Sequence, residues 1–257
     1  QAGTNGTNDT GIYYSATNGI EFYTRSSSTM QGYISTASYS IFRDHSAWDH
    51  IVCVYDSANS DSSLRMRIYV NGTLKTVTTN NTLPQNTASQ VNAVGVTHYI
   101  GMLSNSTGYL DGYLAEVNFI DGLALDSSYF GKTDSITSQW IAKEYKGSYG
   151  QNGYYLPFKN TASVSTLGRD YSLNTSIRQV AQIYGQATFS TAQSKFGSSS
   201  AYFDGVNSMM AFPYPAGLTL AANDFTVEGW VYPNNNTTLQ SFISQTDEAG
   251  TCLLYTS

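Results

Sequence analysis

Short runs of four to eight residues rich in Val, Ile, Tyr, Phe and Thr recur along the chain, separated by clusters of Gly, Asn, Asp and Ser. Repetition at helical spacing is almost absent. That rhythm confines the chain to an all-β architecture, because period-two segments bury one face or both only when stacked against another sheet. The spacing predicts strands over 19–24, 50–56, 64–71, 98–102, 112–120, 153–159, 201–204 and 224–233. Over 64–70 the pattern is clearest: Leu64, Met66, Ile68 and Val70 alternate with Arg65 and Arg67, so one face packs and the other is wet. Asn71-Gly72 follows directly and predicts a tight hairpin, since both residues tolerate positive φ, with a returning strand over 74–79. One helical stretch is predicted, 138–145, bounded by Gly147 and anchored by Trp140.

Charge narrows the function classes. The 12 basic residues against 18 acidic ones leave a mildly negative field, with no cationic stripe to neutralise phosphates, which argues against nucleic acid as a partner. No apolar stretch approaches the roughly 20 residues that span a bilayer. Cys53 sits in the apolar run Ile51-Val52-Cys53-Val54 and reads as a small core residue, and with Cys252 it is too few for a disulfide framework. At 257 residues the chain is long enough for one large sandwich or two modest domains.

Four motifs carry a resemblance. Trp48-Asp49-His50-Ile51-Val52, Ile68-Tyr69-Val70-Asn71-Gly72, Tyr99-Ile100-Gly101 and Leu110-Asp111-Gly112-Tyr113-Leu114-Ala115-Glu116-Val117 follow one another in an order that resembles the concanavalin A-like, laminin G-type (LamG) jelly-roll modules. The wording around Asn118-Phe119-Ile120-Asp121-Gly122 is similar to versions found in bacteriophage structural proteins and marine metagenomes. Downstream, Lys195-Phe196-Gly197, Ala201-Tyr202-Phe203-Asp204-Gly205 and Phe225-Thr226-Val227-Glu228-Gly229-Trp230 resemble the opening strands of the same modules. The resemblance therefore implies an antiparallel jelly-roll β-sandwich in two parts. Residues 1–155 would be the later strands of a first module with a short extension, and 156–251 the early strands of a second, with the two docking into one composite sandwich. A strand 225–231 outside the sheets that hold 64–70 would dispose of that docking. Residues 252–257 read like the translation of a sequencing-library adapter and are expected not to be biological.

Some relatives in that superfamily are glycanases with carboxylates at alternate positions of one strand, all facing the cleft. Here Glu21, Glu116, Glu144, Glu228 and Glu248 include no such pair. Asp224 and Glu228 share a face but lie about 13 Å apart along an extended backbone, and retaining chemistry needs about 5 Å. His45, His50 and His98 have no serine elbow beside them, and Asp44-His45 with Asp49-His50 fits no closed zinc pattern. No catalytic residue is expected. Calcium is the one cofactor the resemblance raises, with rim candidates Asp56, Asn59, Asp61 and Asp111, which can equally serve as turn formers. Sugar recognition needs an aromatic ring flanked by amides or carboxylates, and the candidates are Tyr33, Tyr39 and Tyr109. Trp48 and Trp230 are expected to pack in the core. The expectation is thus a non-catalytic carbohydrate- or surface-binding adhesion module, extracellular or on a virion such as a phage tail. Its partners would be a cell-surface polysaccharide and neighbouring modules of the same polypeptide. Two alternatives stay open: an inert structural or decoration domain, and a glycan hydrolase whose catalytic strand lies elsewhere.

Overall fold

The computed structural model describes residues 8–36, 47–91, 97–103, 107–159, 163–172, 180–212 and 224–246. They form two eight-stranded antiparallel sheets and a separate two-stranded hairpin. In order of pairing, the first sheet contains β13 (Gln182–Tyr184), β16 (Met209–Phe212), β8 (Thr97–Ile100), β18 (Gln240–Thr246), β1 (Asp9–Ser15), β2 (Gly19–Ser26), β3 (Thr29–Ser35) and β7 (Thr78–Asn81). The second contains β14 (Thr188–Ser190), β15 (Ser200–Asp204), β9 (Asp111–Asp121), β17 (Phe225–Pro233), β4 (Asp49–Tyr55), β5 (Met66–Val70) and β6 (Thr73–Leu74), while β12 (Tyr154–Leu156) pairs with the far end of β9. The hairpin joins β10 (Gly131–Thr133) to β11 (Trp140–Ala142).

Strands from the two ends of the sequence are neighbours. β17 lies between β9 and β4, in the sheet that holds β5, and β18 lies between β8 and β1. The main core fills the space between the sheets with Ile12, Phe22, Cys53, Tyr55, Phe119 and Phe225, among others. Tyr55 stacks on Phe225 at 5.0 Å, and Phe22 meets Phe225 edge-on at 6.0 Å. Each large side chain so buried contributes about 1.5–3 kcal/mol. Burial also pushes the Cys53 thiol up, so it stays protonated and inert.

Alternation on β4 divides its side chains. Ile51, Cys53 and Tyr55 point into this core, whereas Val52 and Val54 face outward with Ile120 of β9. That outer face is not left to water: Leu125 and Phe130 from the excursion between β9 and β12 cover it, with Tyr145 and Tyr149 packed alongside.

The Asn71-Gly72 turn forms as expected, with φ of 48° and 80°. Its returning arm is shorter than the predicted 74–79. β6 is only two residues long, Leu74 is 48% exposed, and with no apolar face to bury the chain crosses to the other sheet as β7. The predicted helix over 138–145 is absent. Trp140–Ala142 is a strand instead, because eight residues scarcely nucleate a helix, and pairing with Gly131–Thr133 satisfies the backbone while laying Trp140 across the hairpin.

A groove on the outer face of the second sheet

Beyond the covered patch, the outer face of β9 and β17 opens into a groove of about 740 Å³, within the range typical of ligand sites. Aromatic rings dominate its walls: Tyr145, Tyr149, Tyr155, Tyr171, Phe196 and Trp230. Glu116, Asn118 and Glu228 supply polar groups from the two strands.

The register explains why these side chains converge. On β17, Thr226, Glu228 and Trp230 occupy alternate positions and sit opposite Val54, Val52 and His50 of β4. On the other side Glu228 pairs with Asn118, but Trp230 pairs with Ala115, so β9 carries an extra residue. That bulge contains Glu116, whose φ of 52° is unusual for a residue with a side chain. Bulges re-aim side chains, and here Glu116 lines the groove beside Asn118.

A directed chain of hydrogen bonds runs beneath the groove. Trp140 Nε1 donates to His50 Nδ1 at 2.9 Å. Because an indole nitrogen can only donate, His50 Nδ1 is an acceptor, and the ring proton belongs on Nε2, which donates to Glu228 Oε2 at 2.9 Å. Asn118 Nδ2 donates to Glu228 Oε1, and the Tyr149 hydroxyl donates to Asn118 Oδ1 at 2.7 Å. His50, Asn118 and Glu228 are all buried. Burial pushes the Glu228 carboxyl above the usual glutamate range, opposed by the bonds from His50 and Asn118. Trp140 seats on Gly72 and Gly131, where any β-carbon would collide with the indole, and stacks on His50 at 5.9 Å. The turn glycine of the β5–β6 hairpin is therefore also the floor for a ring from the β10–β11 hairpin.

Glu116 is held differently. Tyr155 donates to its Oε2, and the Lys159 ammonium stands 3.5 Å from Oε1 and 3.3 Å from the Tyr155 hydroxyl. Burial raises its pKa as well. The Lys195 ammonium sits 4.3 Å from the centre of the Trp230 ring, which also meets Phe196.

Two expectations are corrected. Trp230 is buried, yet it belongs to this groove rather than to the core between the sheets. Glu116 and Glu228 do share a face, because they come from neighbouring strands and a bulge, which spacing along one strand does not show. Their geometry suits binding rather than glycoside cleavage. Both oxygens of Glu228 accept from protein donors, which leaves it no free oxygen to act as acid or base, and Glu116, bonded by Tyr155 with the Lys159 ammonium 3.5 Å away, stands without a second working carboxyl.

The tyrosine candidates fall elsewhere. Tyr33 is on the outer face of the first sheet and lines a cleft of about 130 Å³ with Tyr13, Tyr23 and Arg25. Its hydroxyl and that of Tyr13 both donate to Glu21. Leu103 and Leu239 close that cleft and also pack on Gly108, the neighbour of Tyr109. Tyr39 lies outside the described residues. The structure brings Asp56, Asn59 and Asp61 into one loop. There Asp56 accepts from Arg67 at 3.2 Å and from Asn59 at 3.0 Å, Asn59 accepts from the Asp61 amide, and Asp61 caps a short 3-10 turn by accepting from Ser63. Asp111 is apart from them and accepts from Asn234 and Asn235, both at 2.7 Å. Among the described residues no group of three His, Cys, Asp or Glu is placed to hold a metal ion, and no helix is long and apolar enough to cross a membrane.

Two large antiparallel sheets stacked around one core, with an aromatic groove on an outer face, define a β-sandwich of the concanavalin A-like, laminin G-like type. Residues 1–127 match the family model described as the Concanavalin A-like lectin/glucanases superfamily. No curated protein matches the chain.

Proposed function

We propose that the protein is a non-catalytic glycan-binding module that attaches to carbohydrate-bearing surfaces through the groove on β9 and β17. The observation that carries this reading is the groove itself: aromatic walls to stack on sugar rings, and amide and carboxylate groups held rigid by the Trp140–His50–Glu228–Asn118–Tyr149 chain to orient hydroxyls. The finer setting, a phage tail, virion or other extracellular assembly in which weak sites repeat, rests on the sequence resemblance around Asn118–Gly122 and on the avidity that repetition supplies.

A glycan array probed with the protein and with Tyr171→Ala, which removes an exposed ring of the groove, tests the reading. Binding to at least one saccharide class, lost by roughly tenfold or more in the variant, is expected from removing a stacking aromatic anchor. Silence of the protein across diverse polysaccharides would instead favour a structural or decoration role.

A further inference from the structure

Taking the groove as a saccharide site, we infer that its ligand carries a free primary amine: the geometry points to a saccharide of unacetylated hexosamine units whose ammonium group binds Glu116. Glu116 is the groove carboxylate with capacity to spare. Its Oε1 is buried, and among the described residues the Lys159 ammonium, at 3.5 Å, is the one group that stands by it. Lys159 is 53% exposed, a long side chain easily displaced.

The other charges of the groove are less suited. Glu228 accepts at both oxygens, Lys143 donates to the Ser128 carbonyl at 3.0 Å, and Glu144, facing Lys146 at 3.7 Å, stands on the exposed rim, where water weakens any ion pair. A ligand ammonium that replaces Lys159 exchanges one cation for another and leaves the net charge of the groove unaltered. A neutral hydroxyl there can donate to Oε1 but brings no charge to replace that of Lys159, and an acidic ligand meets Glu116 directly.

The walls show the same preference. Lys195 places its ammonium over Trp230 at 4.3 Å and Lys159 over Tyr155 at 5.8 Å, so two aromatic faces of this groove already accept ammonium groups from the chain itself. Burial lowers the Lys195 pKa, a sign of how far this wall is withdrawn from water.

The test is calorimetric titration of the full chain with three hexasaccharides: glucosamine, N-acetylglucosamine and glucose. At pH 6 the glucosamine hexamer should bind about tenfold or more tightly than the other two, the expected advantage of a charge-assisted hydrogen bond. Glu116→Gln, which keeps an acceptor for Tyr155, should erase that preference while the far-UV spectrum stays unaltered. Lys159→Met should strengthen glucosamine binding by vacating Oε1. Equal affinity for all three hexamers, a preference that survives Glu116→Gln, or weaker glucosamine binding in Lys159→Met would overturn the inference and leave the saccharide reading standing. No binding of any hexamer, together with a silent glycan array, would remove both.

Discussion

At residue scale, the orientation of the His50 ring is dictated by its neighbours. The indole of Trp140 can only donate and Glu228 accepts, so Nδ1 faces the indole and Nε2 the carboxyl. Trp140→Phe keeps a ring over Gly72 and Gly131 but leaves His50 Nδ1 buried without a donor. The expected loss is about 1–3 kcal/mol, measurable by urea denaturation. His98 gives a cleaner pH signature. Its ring packs edge-on against Phe119 at 5.9 Å, and burial lowers its pKa from 6.5 to about 4. The native state thus prefers the uncharged ring, so this contribution is complete above pH 6.5 and is lost as pH falls from there toward 4, by at most about 3 kcal/mol. His98→Phe should flatten the stability curve across that window. The raised carboxyls of Glu116 and Glu228 act in the opposite sense: their contribution is complete below the usual glutamate range and is lost as pH rises through their elevated values.

At the scale of elements, what could be read from sequence is what depends on local alternation. Met66, Ile68 and Val70 of β5 face the core, and Asn71-Gly72 turns the chain, because each follows from period two and from positive-φ tolerance. The groove was not legible in the same way. Glu116, Asn118 and Glu228 become neighbours through a bulge and a pairing between residues 110 positions apart, and Trp230 looks like any core tryptophan until the sheet has two faces to choose between. The hairpin β10–β11 was misread because three residues carry no periodicity and their conformation is set by the docking of Trp140. Two predictions belong to this scale. Gly72→Ala must hold a φ of 80° and displace the indole, so it should cost upward of about 1–2 kcal/mol in thermal or urea unfolding. Trp140→Ala should raise amide exchange over 131–142 well before the sandwich unfolds, since among the described residues the hairpin pairs with no other strand and the indole is its anchor. Unchanged exchange there would mean that the contacts of Phe130 and Tyr145 suffice to hold it.

For the molecule as a whole, both sheets interleave strands from before and after residue 156. Residues 1–156 expressed alone would lack the strand between β4 and β9 and the strand between β1 and β8. Each missing strand would leave two unpaired edges beside an open core. We expect that fragment, and the complementary 157–257, to show little cooperative unfolding separately, and their mixture to recover a sigmoidal transition by circular dichroism. Independent two-state melting of either piece would contradict this.

The late position of β17 in the sequence has a cost during synthesis. A ribosome delivers β4 and β9 long before the strand that belongs between them, whose pairing with β4 spans about 170 residues, as in Val227 opposite Cys53. Until then the nascent sheet carries an open seam flanked by apolar side chains, able to accept the wrong strand from a neighbouring chain. Yield from fast, crowded expression should therefore suffer more than the stability of the finished protein would suggest, and slower translation should recover it.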